Sequence, residues 1–388
     1  ADILSHLVGF VPDGQFLFFA PVSRSWRAAW GRRPALTDFL SAETSPSQLR
    51  YSFRSGLPRE GVDWCALSAR LGNLGVLRWA RGEGGGGGKG CPWDEQTCAL
   101  AAEGGHLELL LWARRGGCPW DEGVCSAAAA RGDVGMLQAA RRMGCPWTAE
   151  ACASAAGGGH LEALRWCRRG GCPWDEATPR AAAGSGDLSV VKWVKDEGCT
   201  LTAAACASAA REGHLHVLEW LRADADGDGG GCPWGESTCA AAAGGGHLAV
   251  LQWCRLNGCP WDAGTCSAAA RAGGLAVLWW CRRNGCPWDE RTCAGAAAGG
   301  HFELLEWCRL GGCPWDEDTC VQAASGGHPV SSAAQNGHLA VVKYAGESGC
   351  AWSADACFWA SAEGRLDVLG YARGRGCPWD KSQCVAAA

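Results

Sequence analysis

Gly-Cys-Pro-Trp recurs along this chain at an almost fixed interval, and a fixed interval dictates architecture before any local motif is weighed. Cys-Pro-Trp begins at Cys91, Cys118, Cys145 and Cys172, then at Cys232, Cys259, Cys286 and Cys313, and again at Cys377. Cys199 and Cys350 open degenerate copies, followed by Thr-Leu and Ala-Trp. Most steps are 27 residues. A unit repeated in this way cannot bury its apolar face alone, so neighbours must stack into a one-dimensional array. The usual partition of 388 residues into two or three globular domains does not apply.

One unit, Asp94 to Trp120, predicts two short helices. Asp94 is an N-cap residue with Glu95 in the first turn, against the positive end of the helix dipole. The same slot holds Asp121, Thr148, Asp175, Thr202, Gly235, Asp262, Asp289, Asp316, Ser353 and Asp380, all preferred cap types. Helix A, Thr97 to Ala102, is alanine-rich, and small side chains let the next repeat's backbone approach. Gly104-Gly105 end it. Helix B, His106 to Ala113, carries a wide apolar face at 107, 110, 113 and 109, 112. Arg114-Arg115 sit at its negative end, Gly116-Gly117 stop it, and Cys118-Pro119-Trp120 turn the chain back. Trp112 and Trp120 are expected to fill the space left by the small residues of helix A.

These residues resemble the ankyrin repeat. The family's threonine-proline-leucine-histidine-leucine-alanine-alanine stretch aligns with Gln96 to Ala102, and its Gly-His-Leu-Glu opening of the second helix stands at 105–108 and again at 159–162. The departures are the 27-residue period, which leaves no room for the family's protruding hairpin finger, and the missing proline-histidine pair of the first helix. The resemblance implies an all-α fold: a helical-hairpin solenoid of stacked ankyrin-like repeats with the helix A faces lining a concave surface. Another helical-hairpin solenoid is the alternative fold. The repeats are expected over 46–388, irregular near 82–90, 223–231 and 325–335, where glycine-rich or acidic insertions and a ten-residue slip interrupt the period. Ala388 falls inside a helix A, which leaves the last repeat incomplete and reads as a fragment or a truncated gene model.

Residues 1–34 stand outside the repeat, and 35–45 form a polar linker. Apolar positions from Ile3 to Phe18 followed by Val22-Ser23-Arg24-Ser25-Trp26-Arg27 resemble the F-box, a small helical module. The leucine-proline opening usual in that family would lie upstream of Ala1. The resemblance implies docking of a ubiquitin-ligase adaptor through Leu4, Val8, Leu17, Val22 and Trp26. The alternative is a helical cap on the first repeat.

The 26 cysteines fall at recurring slots, which points to buried, reduced thiols in a cytoplasmic or nuclear protein rather than to a secreted disulfide scaffold. Pairs such as Cys254/Cys259 and Cys281/Cys286, each followed or preceded by a further thiol, raise zinc. Pro179 in place of the expected cysteine of an otherwise intact repeat argues for packed thiols instead. Asp224, Asp226 and Asp228 with Gly229 match the first half of a calcium loop, but Gly235 stands where the bidentate glutamate belongs, so an acidic loop is expected. His106, His160, His214, His247 and His301 share one slot with Asp133, Asp187 and Gly274 and are expected to start helices and bond between repeats. No catalytic constellation or phosphate loop is present, and no cofactor or metal is called for.

Function is therefore expected on the surface, as a non-enzymatic protein-interaction scaffold. The residues that vary between copies on helix A are Gln96, Glu103, Arg131, Glu150, Arg211, Glu212, Arg271, Arg291, Asp318, Asp355 and Glu363, with Phe358 and Trp359 as aromatic anchors. The alternatives are a substrate-receptor subunit of an F-box-type ubiquitin ligase and a metal-binding repeat protein. A net charge of −5, from 35 basic and 40 acidic residues, predicts neither nucleic-acid nor membrane binding.

Overall fold

The structure, a computed structural model, describes residues 44–47, 63–82, 90–224, 231–314, 338–347, 357, 360–361 and 364–377. The F-box-like segment with Leu4, Val8, Leu17, Val22 and Trp26 lies outside the described residues. So do both insertions, apart from their edges, and the slip near 325–335.

The described residues form helices without a strand. The chain divides into two compact units, Ala1–Thr178 and Pro179–Ala388. The first contains α1 (Trp64–Arg70), α2 (Leu74–Ala80), α3 (Glu95–Gly104), α4 (Leu107–Arg115), α5 (Gly123–Ala130), α6 (Val134–Arg142), α7 (Ala149–Gly157) and α8 (Leu161–Arg169). The division falls within α9 (Ala177–Ser185). The second contains α10 (Leu188–Asp196), α11 (Ala203–Arg211), α12 (Leu215–Asp224), α13 (Glu236–Gly244), α14 (Leu248–Leu256), α15 (Ala263–Arg271), α16 (Leu275–Arg283), α17 (Glu290–Ala298), α18 (Phe302–Leu310), α19 (Leu339–Glu347) and α20 (Leu366–Gly374). Odd helices up to α17 are of type A and even ones of type B; α19 and α20 are both of type B. The fold is a helical-repeat solenoid in which elements touch their neighbours in sequence.

Local chemistry sets the helix ends. Asp94 accepts from Thr97 N at 3.2 Å, while Thr97 Oγ1 accepts from Asp94 N at 3.4 Å, a reciprocal cap on α3. Thr148, Thr202 and Asp262 hold the extended cap backbone without a side-chain bond. Gly258, at φ +79 with open space around it, stops α14 in the left-handed conformation that other residues resist.

Packing follows from size. Within each unit the A helices lie closest to one another, α3 on α5 on α7 and α11 on α13 on α15 on α17. Their contact residues are alanine and cysteine, fully buried at Cys98, Ala101, Ala102, Cys239 and Ala242. The B helices add the larger groups, among them Leu110, Leu137, Leu251 and Leu278, each 0% exposed. Burying one such leucine contributes about 1.5–3 kcal/mol.

The tryptophans depart from expectation. Trp93, Trp112, Trp120 and Trp147 are half-buried and do not plug the core. From α3 onward the buried residues of the A helices are small, chiefly alanine, cysteine and threonine, so an indole is too large for the space between them; Trp64, the first residue of α1, is the described exception and is buried. The rings instead pair at the repeat edges: Trp93 with Trp112 at 5.8 Å, Trp261 with Trp280 at 5.7 Å and Trp288 with Trp307 at 5.9 Å, all edge to face.

An arginine from the end of helix B completes most of the described joints, with Lys195 in that slot before Cys199. Arg114 Nη1 donates to the Cys118 carbonyl at 3.0 Å and its guanidinium lies 4.6 Å from the Trp120 ring. Arg168 with Cys172 and Trp174, and Arg282 with Cys286 and Trp288, repeat the arrangement. The turn cysteine ties back to the preceding copy. Cys118 Sγ donates to Asp94 O at 3.3 Å, Cys145 to Asp121 O at 3.2 Å and Cys286 to Asp262 O at 3.4 Å.

The insertions leave this joint intact. Cys118 N donates to Ala113 O, five residues back, whereas Cys91 N donates to Ala80 O and Cys232 N to Leu221 O, each eleven back. The difference, 11 − 5 = 6, is the length of each insertion, and the bond that closes the turn is the same with or without it.

Candidate functional site

Histidine, cysteine and the helix A surface carry the chemistry worth weighing. The histidines are joints. His106 Nε2 bonds Arg70 O at 3.2 Å, His214 Nε2 bonds Gly184 O at 3.1 Å and His301 Nε2 bonds Arg271 O at 3.1 Å. Each ring reaches the end of the preceding helix A and satisfies a carbonyl orphaned there. Neither His106 nor His301 caps its own helix. Asp133 and Asp187, in the same slot, do cap theirs, accepting from Met136 N at 2.8 Å and Ser189 N at 2.8 Å. The slot therefore serves either a local or an inter-repeat bond, as its residue allows.

The cysteines gather in threes. The sulfurs of Cys266, Cys281 and Cys286, all buried, lie within 4.8 Å of one another; Asp63, Cys65 and Cys91 form a second such group. The Cys286 thiol is already engaged as donor to Asp262 O. Its hydrogen bonding with the Cys266 and Cys281 thiols, with burial, pushes Cys286 well above the usual thiol range, and the Cys266 contact with burial pushes Cys281 up to about 12. The same thiol contacts pull Cys266 down to about 4, so it is the ligand number that speaks against structural zinc, which takes four ligands where this group offers three.

None of the described cysteines is in a disulfide, and all are buried except Cys91 and Cys199. Alkylation of the native chain is expected to modify Cys91 and Cys199 before the other described cysteines. Peptide mass mapping over time checks it; equal rates for Cys98 and Cys266 would show that the repeats open freely.

The helix A surface remains. In the first unit Gln96, Glu103 and Glu150 are exposed. Arg131 is exposed too, but its Nη1 donates to Glu103 O at 3.0 Å, so it does the work of a joint histidine. In the second unit Arg211, Glu212, Arg271 and Arg291 are exposed. Arg291 lies 3.8 Å from the Asp289 carboxylate. Asp318, Asp355, Phe358, Trp359 and Glu363 lie outside the described residues.

Two of the expected residues come together. Arg211 of α11 and Arg271 of α15 line one open groove of about 710 Å³ that crosses α13. Ala207, Ser237, Ala240, Gly244, Ser267 and Ala268 are among the small residues that form its floor. Neither guanidinium is paired with a carboxylate among the described residues. The period also places Arg180, exposed on α9, in the slot of Ala207, 27 residues on. Arg180 was not among the expected residues; its departure from the small residues found at that slot is the signal that would have marked it.

No family model matches the chain, and no curated protein matches it. Among solved structures the chain is similar to the pentatricopeptide repeat protein PPR10 in complex with an 18-nt psaJ RNA element, and to a cysteine-to-serine variant of that protein in the same complex. In each case the TM-score is 0.33 at 13% identity, and the match covers 100% of this chain and 66% of the other.

These neighbours hold RNA, and the expectation that nucleic acid is excluded is withdrawn. The physical reason is that a charge of −5 summed over the whole chain does not report the charge of one face. The basic groups Arg180, Arg211, Arg271 and Arg291 all project from A helices or their first turns in the second unit. No described helix is long and apolar enough to cross a membrane.

Proposed function

We propose that this chain is a non-enzymatic binding scaffold that receives a protein segment on the helix A faces of its repeats, and that the repeats are a shortened ankyrin type. The observation that carries the proposal is where the reactive residue types are spent. Described turn cysteines bond to the preceding repeat, tryptophans pair under arginines, and joint histidines bond helix ends. Side chains that differ between copies and stay exposed, such as Gln96, Glu150, Arg211 and Arg271, belong to helix A. Gly-His-Leu-Glu at the start of helix B, with its histidine bonded to the neighbouring repeat at His106, supports the ankyrin kinship.

Affinity capture with the intact chain tests it. A protein partner retained after nuclease treatment, and lost when Glu150 and Arg211 are both reversed in charge, supports the scaffold. Recovery of RNA alone, or capture indifferent to those reversals, overturns it.

A further inference from the structure

We infer that the groove over α11, α13 and α15 selects an extended acidic segment of the partner, with two carboxylates spaced to meet Arg211 and Arg271. The inference rests on the scaffold reading above and names the chemistry of the recognised segment.

The first support is shape. Gly244, Ala240 and Ala268 put almost no side chain over the middle of the groove, so a peptide backbone can lie close to α13. Ser237 adds a hydroxyl able to bond a peptide amide or carbonyl. The second is charge. Arg211 and Arg271 stand at either side of this uncharged floor without a carboxylate partner among the described residues. An exposed arginine pair left unpaired next to an open groove is complementary to carboxylates, which guanidinium binds through two parallel hydrogen bonds.

Spacing sharpens this. Neighbouring packed helices lie ~8–10 Å apart, so α11 and α15, two steps apart, separate the arginines by ~16–20 Å. An extended chain rises ~3.3 Å per residue and covers that in about five or six residues. The favoured segment therefore carries acidic residues about five or six apart, with small or uncharged residues between them.

RNA fits these features less well. It carries a charge at every nucleotide, whereas the groove offers cations only at its sides. No aromatic residue lines the groove to stack a base.

A displayed library of random extended peptides, panned on the full chain, tests the proposal. Expected are peptides enriched in acidic pairs about five or six residues apart, whose binding falls about tenfold or more with either R211E or R271E. Reversal of Arg142, exposed on α6 in the other unit, should leave binding unchanged. Enriched peptides without acidic pairs, or insensitive to R211E and R271E, overturn this inference and leave the scaffold standing. Failure of any peptide to enrich overturns both. A uridine homopolymer that binds more tightly than the best peptide and is lost in R211E/R271E assigns the groove to nucleic acid and overturns the acidic segment.

Discussion

Gly245→Ala is expected to destabilise the second unit by about 3 kcal/mol or more. A Cβ at Gly245 would lie 2.1 Å from the Arg211 carbonyl oxygen, 3.0 Å from its carbonyl carbon and 2.7 Å from His247 Cδ2. The first two are backbone atoms of the preceding repeat and do not swing aside. Gly245 itself is at φ −79, so its dihedral suits alanine and the cost is purely one of approach. The comparison is Gly258→Ala, where φ is +79 but nothing lies within 4 Å of the added methyl. That change meets only left-handed strain, about 1–2 kcal/mol. Denaturant midpoints rank the two variants, and hydrogen exchange locates the loss. Protection should fall first in α11, α13 and α14, because a stack unfolds by nearest-neighbour terms. If Gly245→Ala proves no worse than Gly258→Ala, the α11–α13 approach is not fixed by contact.

Arg282→Ala is expected to cost about 2–4 kcal/mol. Arg282 Nη1 donates to Cys286 O at 2.8 Å, and its guanidinium lies 3.9 Å from the Trp288 ring. Trp288 in turn meets Trp307 of the next helix B at 5.9 Å, edge to face. A charge-assisted hydrogen bond contributes about 1.5–3 kcal/mol and a cation over a tryptophan about 0.5–2 kcal/mol. Removing both also frees the ring and the turn it anchors. Lysine retains charge but not the planar fork, so Arg282→Lys should recover only part of the loss. Arg283, the next residue, is exposed and lies 5.1 Å from the Trp279 ring, and its replacement should cost little. Calorimetry of the three variants, with tryptophan emission followed through the melt, checks the order. Equal behaviour of Arg282→Ala and Arg283→Ala would remove the arginine from the joint.

Much of the repeat was legible residue by residue. Asp94 with Glu95 marked the start of α3, and the glycine before each turn cysteine marked the end of helix B. The shared slot of His106, His214 and His301 with Asp133 pointed to an inter-repeat bond, and the bond is there. The tryptophans were misplaced because periodicity says that a residue repeats, not which side of the stack it faces. Cys118 Sγ to Asp94 O joins residues 24 apart, a link that no motif within one repeat announces. Arg131 read as a variable surface charge, yet it bonds Glu103 O in the preceding copy.

The groove divides the two kinds of knowledge most sharply. The sequence by itself determined the repeat, its helix ends, the alanine and cysteine core, and the choice of helix A as the place where side chains vary. Each of these depends on contacts within one copy or on its match to an identical neighbour, which a period encodes. Only the tertiary structure decided that Arg211 and Arg271 face one space while Arg131 is drawn onto a carbonyl. That outcome depends on the rise and rotation from one copy to the next, set by how closely Gly245 lets α13 approach α11, and no single repeat records it.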